Sequence, residues 1–332
     1  MAAASHVIVV DDMDPRIIWH CPVVKERHLK GSYFRDSWTA PDSLSCGMQL
    51  GWFSFTFNGT QVSIAAADSA VNSQYSVSID GGPFKLQTGT GPFTSANLTD
   101  GLHTITYSSG NTSLYPALDY LTFVAGASTQ LFSESVIVDD SNSQFNFSGS
   151  WSTTAISEAL NLRPSAIYLN TTHWAGATGD AFTFNFQGDS IAVYGLIPSV
   201  EGNSTIACSL DAGSANSTLL PYGTVDPQPM VELCRIDDVP AGAHTLKLNF
   251  THIAPSHMYG VDFVVYNSTV HTTPVTPGTA LQQESSSTNE QKTHIIEAST
   301  VGAIAALVLL LVALVVIVVC RRRRPRRSPK LF

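Results

Sequence analysis

The chain carries the same pattern twice. Val7-Ile8-Val9-Val10-Asp11-Asp12 returns as Val136-Ile137-Val138-Asp139-Asp140, and Phe53-x-Phe55-x-Phe57-x-Gly59 as Phe182-x-Phe184-x-Phe186-x-Gly188. Val62 and Ile64 match Ile191 and Val193, and Ser78-Ile79-Asp80 matches Ser209-Leu210-Asp211. Gly101-x-His103-Thr104-Ile105 answers to Gly242-x-His244-Thr245-Leu246, and Leu118-Asp119-Tyr120 to Val261-Asp262-Phe263. Matches in one order with a slowly growing offset define two tandem units rather than a short-period solenoid. The expected division is 1–125 for the first unit, 126–135 for a linker and 136–267 for the second.

Each unit reads as β. Phe53, Phe55 and Phe57 alternate with Ser54, Thr56 and Asn58, a period of two with one apolar face. Leu246, Leu248 and Phe250 alternate with Lys247 and Asn249 in the same way. Runs broken by Gly, Pro, Asn and Asp, with no amphipathic helix before residue 300, predict antiparallel β-sandwiches or jelly rolls. Gly59 and Gly188 are expected to end their strands in turns.

After the second unit the composition changes. Residues 268–300 are rich in Ser, Thr, Pro and Gln and read as an extended stalk. Residues 301–320, VGAIAALVLLLVALVVIVVC, hold no charge. At about 1.5 Å per residue such a helix spans roughly 30 Å, the thickness of a bilayer's hydrocarbon core. Residues 321–332 form a basic tail whose arginine cluster predicts a cytoplasmic C-terminus and an extracellular body, and offers anionic lipids a contact. Cys320 at that border is a candidate for palmitoylation. Residues 1–10 lack the basic start and apolar core of a signal peptide, so export would need another leader or route, and a tail-anchored protein with a cytosolic body is the competing orientation.

Two features favour the exoplasmic orientation further. Sequons stand at Asn58, Asn97, Asn111, Asn146, Asn170, Asn203, Asn216, Asn249 and Asn267. Cysteines fall in pairs, Cys21 with Cys46 and Cys208 with Cys234, so one disulfide per unit is expected. Before residue 321 the chain carries ten basic against 26 acidic residues, which excludes a nucleic-acid surface.

Tandem VDD starts, F-x-F-x-G strands, G-x-H-T strands and closing apolar-Asp-aromatic strands resemble a group of fungal single-pass membrane proteins. That resemblance covers about residues 7 to 332, and implies galactose-binding-like (jelly-roll) sandwich ectodomains. It implies little about activity. The first unit departs from the group's pattern between Trp19 and Trp52, in the stretch holding Cys21 and Cys46.

No constellation for catalysis emerges. Gly188-Asp189-Ser190 lacks the later Asp-x-x-His that an esterase of that type needs. Asp11, Asp12, Asp139 and Asp140 are read as strand-end residues whose neighbours point to opposite faces, unsuited to a paired-carboxylate mechanism. His103 and His244, at equivalent strand positions, fit hydrogen-bonding roles, and no histidine or cysteine cluster has metal-site spacing. Metal ligands and cofactors are therefore not expected. Aromatic residues are the clearest ligand signal: Trp151, Tyr168, His173, Trp174 and Tyr194, with Trp174 foremost as a sugar-stacking ring. The leading expectation is a glycan- or protein-binding surface glycoprotein with an adhesion or sensor role facing the cell wall. A membrane-anchored enzyme on wall polysaccharide and a purely structural glycoprotein are the alternatives.

Overall fold

A computed structural model describes residues 6–27, 31–42, 52–66, 74–88, 93–109, 117–154, 162, 166–199, 202–220 and 227–271. Cys46, Asn111, Cys320, most of the stalk, the 301–320 segment and the tail lie outside them. The described residues belong to one compact unit, Met1–Pro277. Among them no helix is long and apolar enough to cross a membrane.

The architecture is antiparallel β throughout. The first repeat supplies β1 (Val7–Asp11), β2 (Ile18–Trp19), β3 (Val23–Arg27), β4 (Ser37–Pro41), β5 (Phe53–Ala66), β6 (Gln74–Ile79), β7 (Lys85–Thr88), β8 (Phe93–Thr94), β9 (Gly101–Ser109) and β10 (Leu118–Ala125). The second supplies β11 (Ser135–Asp139), β12 (Phe145–Ser148), β13 (His173–Ala175), β14 (Ala181–Ile197), β15 (Thr205–Leu210), β16 (Asn216–Leu219), β17 (Gln228–Ile236), β18 (Gly242–His252) and β19 (Tyr259–Ser268).

One long strand organises each repeat. The first half of β14 pairs with β12 and β18, and its second half with β17 and β19. Strand β5 does the same with β2 and β9, then β8 and β10. Each long strand thus passes from one sheet of its sandwich to the other. Gly59 and Gly188 sit at the crossing, inside the strands, and not in the turns the sequence suggested. A Cβ at Gly188 would collide with the Asn267 carbonyl oxygen, and one at Gly59 with that of Val124. Absence of a side chain, rather than a turn, is what the F-x-F-x-F-x-G motif supplies.

Between the sheets lie the alternating phenylalanines. Phe53, Phe55 and Phe57 pack with Val62, Ile64, Ile105 and Phe123 in one core. Phe182, Phe184 and Phe186 pack with Ile191, Val193, Leu246, Leu248 and Phe250 in another. Burying each such ring stabilises by about 2–3 kcal/mol, so these two cores carry most of the fold. Cys208 on β15 is disulfide-bonded to Cys234 on β17, with Cα atoms 6.5 Å apart, and so ties the two sheets of the second sandwich. Cys21 is disulfide-bonded as well.

The repeats are fused edge to edge. β1 pairs antiparallel with β11, Val7 opposite Ile137 and Ile8 opposite Val136. Ile8 and Val136 are equivalent positions of the duplication, so an approximate two-fold axis passes between them. Strands β8, β5, β10, β1, β11, β19, β14 and β17 therefore follow one another across a continuous sheet. Of the expected linker, residues 126–134 form tight turns with Leu131 buried against the first core, and Ser135 already opens β11.

Candidate functional site

Next to the axis each repeat sends a short 3-10 turn toward its twin. Phe34–Asp36 is the turn of the first repeat and Tyr168–Asn170 that of the second. The backbone N–H of Phe34 donates to Asp119 (2.8 Å) and that of Tyr168 to Asp262 (3.1 Å). This is the work of the aspartate in each closing apolar-Asp-aromatic strand. Both acids are fully buried. Burial pushes the Asp262 carboxyl well above the usual carboxylate range, the Tyr168 N–H pulling the other way. Inside the turns Arg35 and Leu169 hold φ of 51° and 49°, followed by Asp36 and Asn170 at 61° and 59°. Two successive left-handed residues without glycine store roughly 1–2 kcal/mol each, which anchoring of the turn offsets.

Phe34 crosses the axis to contact Tyr194 and Phe263 of the second repeat, with ring centroids 5.4 and 6.2 Å away. The Tyr168 turn crosses the other way, and there a cleft of about 350 Å³ remains. Its floor is the outer face of β1, β5 and β10: Val7, Gln61, Ser63, Ala65, Tyr120, Thr122 and Val124. Thr94 borders one side and Ile167, Tyr168, Leu169 and Asn170 form the other. Among the described residues the lining contains aromatic rings, hydroxyls and amides but no Asp, Glu, His, Lys or Arg. Ser63 Oγ and Thr94 Oγ1 are 2.9 Å apart, and the Gln61 side-chain amide donates to the Ser95 carbonyl at 3.1 Å, fixing the polar groups in place. Volume and lining match the size and character of small-molecule sites.

A second cluster lies behind the Tyr168 turn. Carboxylate oxygens of Asp139, Asp140 and Asp262 all fall within 4.8 Å of one another. Thr171 Oγ1 is 2.8 Å from Asp140 and 2.9 Å from Asp139, and His173 Nδ1 pairs with Asp140. Asp139 and Asp140 therefore converge, contrary to the strand alternation expected of them. Asp139 ends β11 and Asp140 opens the following turn, so the alternation no longer holds. Burial raises the Asp140 carboxyl, opposed by its bonds to His173 and Thr171. Such oxygen donors suit a hard divalent cation. In the first repeat the equivalent acid Asp12 accepts from Ser37 Oγ at 2.6 Å and from Thr39 Oγ1, with threonine in place of His173. Burial, then the neighbouring Asp12, pushes Asp11 up to about 7.

The five aromatic candidates do not form one platform. Tyr168 lines the cleft, and Tyr194 packs on Phe263 within the second repeat. His173 and Trp174 bound a separate hollow of about 170 Å³ with Asp140 and Thr171. Trp151 is half-buried, donates its indole N–H to the Ser148 carbonyl, and packs on Phe147. Trp174, the foremost candidate for a sugar-stacking ring, is 1% exposed. Its segment is strand β13, paired with Gly260 and bridged to Ser152, which turns the indole inward against Leu196. Its N–H finds no partner among the described residues. The cleft residues missed in the sequence, Gln61, Ser63, Tyr120 and Thr122, do leave a trace. They are the alternate, part-polar positions of strands whose other face sends Val62, Ile64, Leu121 and Phe123 into the core.

Of the described sequon asparagines, Asn97, Asn146, Asn170, Asn203 and Asn216 are exposed, and Asn170 stands on the rim of the cleft. Asn58, Asn249 and Asn267 are half-buried, and Asn58 bonds to Ser128.

No protein-family model matches the sequence, and no curated protein matches it. Among solved structures the chain is similar to a two-domain esterase active on acetylated mannans and co-crystallized with mannopentaose, at a TM-score of 0.31 and 14% identity over 41% of this chain and 37% of that one. It is similar to a family 35 carbohydrate binding module from Clostridium thermocellum, at 0.27 and 20% over 36% and 98%. It is also similar to the CBM36-1 domain of a multidomain xylanase from the hindgut metagenome of Trinervitermes trinervoides, at 0.28 and 13% over 40% and 94%. The matched region spans little more than a third of the esterase's length. At such values the likeness says nothing of what this chain binds.

Proposed function

We propose that this chain is a single-pass cell-surface glycoprotein of the fungal type it resembles, and that its galactose-binding-like sandwiches bind glycans through the cleft between the repeats. Residues 301–320 would anchor it, with the basic tail on the cytoplasmic side against anionic lipids. One observation carries the binding claim: a cleft of about 350 Å³ whose lining, among the described residues, combines tyrosine rings, hydroxyls and amides with no charged side chain. A sugar offers apolar C–H faces and a ring of hydroxyls, and such a lining can meet both at once. A pair of carboxylates flanking a bond, which glycoside hydrolysis uses, has no counterpart among these lining residues. We therefore read the cleft as a binding site rather than a site of turnover, in an adhesion or sensor role.

The test is a glycan array probed with the full chain in detergent micelles, its N-glycans trimmed. The expected result is selective retention of one class of glycan, weakened ten-fold or more by Thr94→Ala with Leu169→Ala. Both positions are exposed, so the fold tolerates the change. Ten-fold corresponds to about 1.4 kcal/mol. Retention unchanged by the double substitution, or none at all, would count against the reading.

A further inference from the structure

We infer that the duplication leaves one working cleft per chain, open to a neutral ligand, because the cleft's symmetry mate is plugged by Tyr194, Arg235 and Arg35. The inference rests on the glycan reading above and specifies its stoichiometry and charge preference.

The approximate two-fold axis requires a second cleft, over the sheet of the second repeat and under the Phe34 turn. Strand register identifies its lining without ambiguity. Ala65 faces Tyr120 on the neighbouring strand as Tyr194 faces Phe263. Ser63 pairs with Thr94 as Ala192 pairs with Arg235. Leu169 and Arg35 are the middle residues of the two turns, with matching left-handed backbones. Where the first site holds Ala65, Thr94 and Leu169, the second holds Tyr194, Arg235 and Arg35.

The consequence is a difference in space. About 350 Å³ is open in the first site and about 50 Å³ in the second. Tyr194 lies flat on Phe263, centroids 5.0 Å apart, and fills the place that Ala65 leaves empty. Arg235 locks it there, with Nη2 donating to Tyr194 Oη at 3.2 Å and to Glu232 at 2.6 Å. Arg35 lies over the Phe34 ring at 5.2 Å and borders the same remnant. Desolvating such a network costs more than an uncharged ligand returns, so the plugged site stays shut. Among the described residues the open site presents no charge that would offset burial of a ligand's carboxylate or sulfate. Its ligand is therefore a neutral sugar, one per chain.

Native mass spectrometry of the full chain in detergent decides this. The probes are neutral glucan, mannan and chitin hexasaccharides and an anionic heparin hexasaccharide. The expected result is one neutral oligosaccharide per chain. Ala65→Tyr, which builds the plug's central ring, should lower occupancy ten-fold or more. Thr94→Arg with Leu169→Arg, at two exposed positions, should do the same should Ala65→Tyr fail to fold. Two ligands per chain, or preference for the heparin fragment, overturns the inference and leaves glycan binding standing. Neutral binding undiminished by both variants moves the site elsewhere and does likewise. Binding of no oligosaccharide removes the glycan reading and this inference with it.

Discussion

Two histidines show how single side chains set the chain's response to pH. His103 Nδ1 faces Asp80 at 2.7 Å and its Nε2 faces the Thr99 carbonyl at 2.7 Å. His244 repeats this with Asp211 at 2.6 Å and the Pro240 carbonyl at 2.7 Å. Both acceptors are oxygens, so only the doubly protonated ring satisfies them together. The Thr99 carbonyl, then Asp80, raises His103, and Asp211, then the Pro240 carbonyl against desolvation, raises His244. A raised histidine contributes its stability fully below about 6.5 and loses it as pH climbs through the folded value. Asp211 is held low by His244, and Asp80 is held low by His103 despite its desolvation. Their contributions are present above the ordinary carboxylate pKa and lost in stronger acid. These latches therefore hold best from about pH 4 to about 6.5. Asp11, raised to about 7, also costs more stability as pH rises through that range. Melting temperature followed from pH 5 to 8 should fall in the wild type, and less steeply in His103→Gln/His244→Gln. Equal slopes would refute the latch. Sequence reading reached both histidines and both aspartates through the repeat, but not their contact, because the aspartates stand in the turns after β6 and β15, 23 and 33 residues before their histidines.

At the scale of elements the crossing strands matter most. Because β5 and β14 each serve two sheets, a defect at the crossing disturbs both layers. Gly188→Ala brings a methyl group against the Asn267 carbonyl oxygen, a backbone atom with no room to withdraw. We expect destabilisation of several kcal/mol, in the range of overpacked and strained sites, read as a lower denaturation midpoint. Gly82→Ala, which meets only the Ile79 carbonyl at 3.1 Å, should cost clearly less. Equal costs would mean that the crossing relaxes easily. The alternating phenylalanines announced these strands, yet runs of 14 and 17 residues exceed what the sequence suggested. Glycine ordinarily breaks a strand, and only the close approach of a neighbouring strand gives it a reason to sit mid-strand. The same limit misplaced Trp174, since pairing of β13 with β19 depends on residues some 85 positions away.

For the whole molecule, the duplication was legible and its symmetry was not. The VDD starts reveal two like units, but the β1–β11 pairing depends on how they dock, which neither repeat encodes alone. The cleft is a product of that docking: its floor comes from one repeat and its wall from the other. Its emptiness comes from Ala65 standing where Tyr194 stands across the axis. The most direct measurement is hydrogen–deuterium exchange of the full chain with and without a bound neutral oligosaccharide. The account predicts protection at Thr94 and Ile167–Asn170, with none around Arg35 and Arg235. Protection at the His173–Trp174 hollow instead, or at both symmetry-related sites, would contradict it.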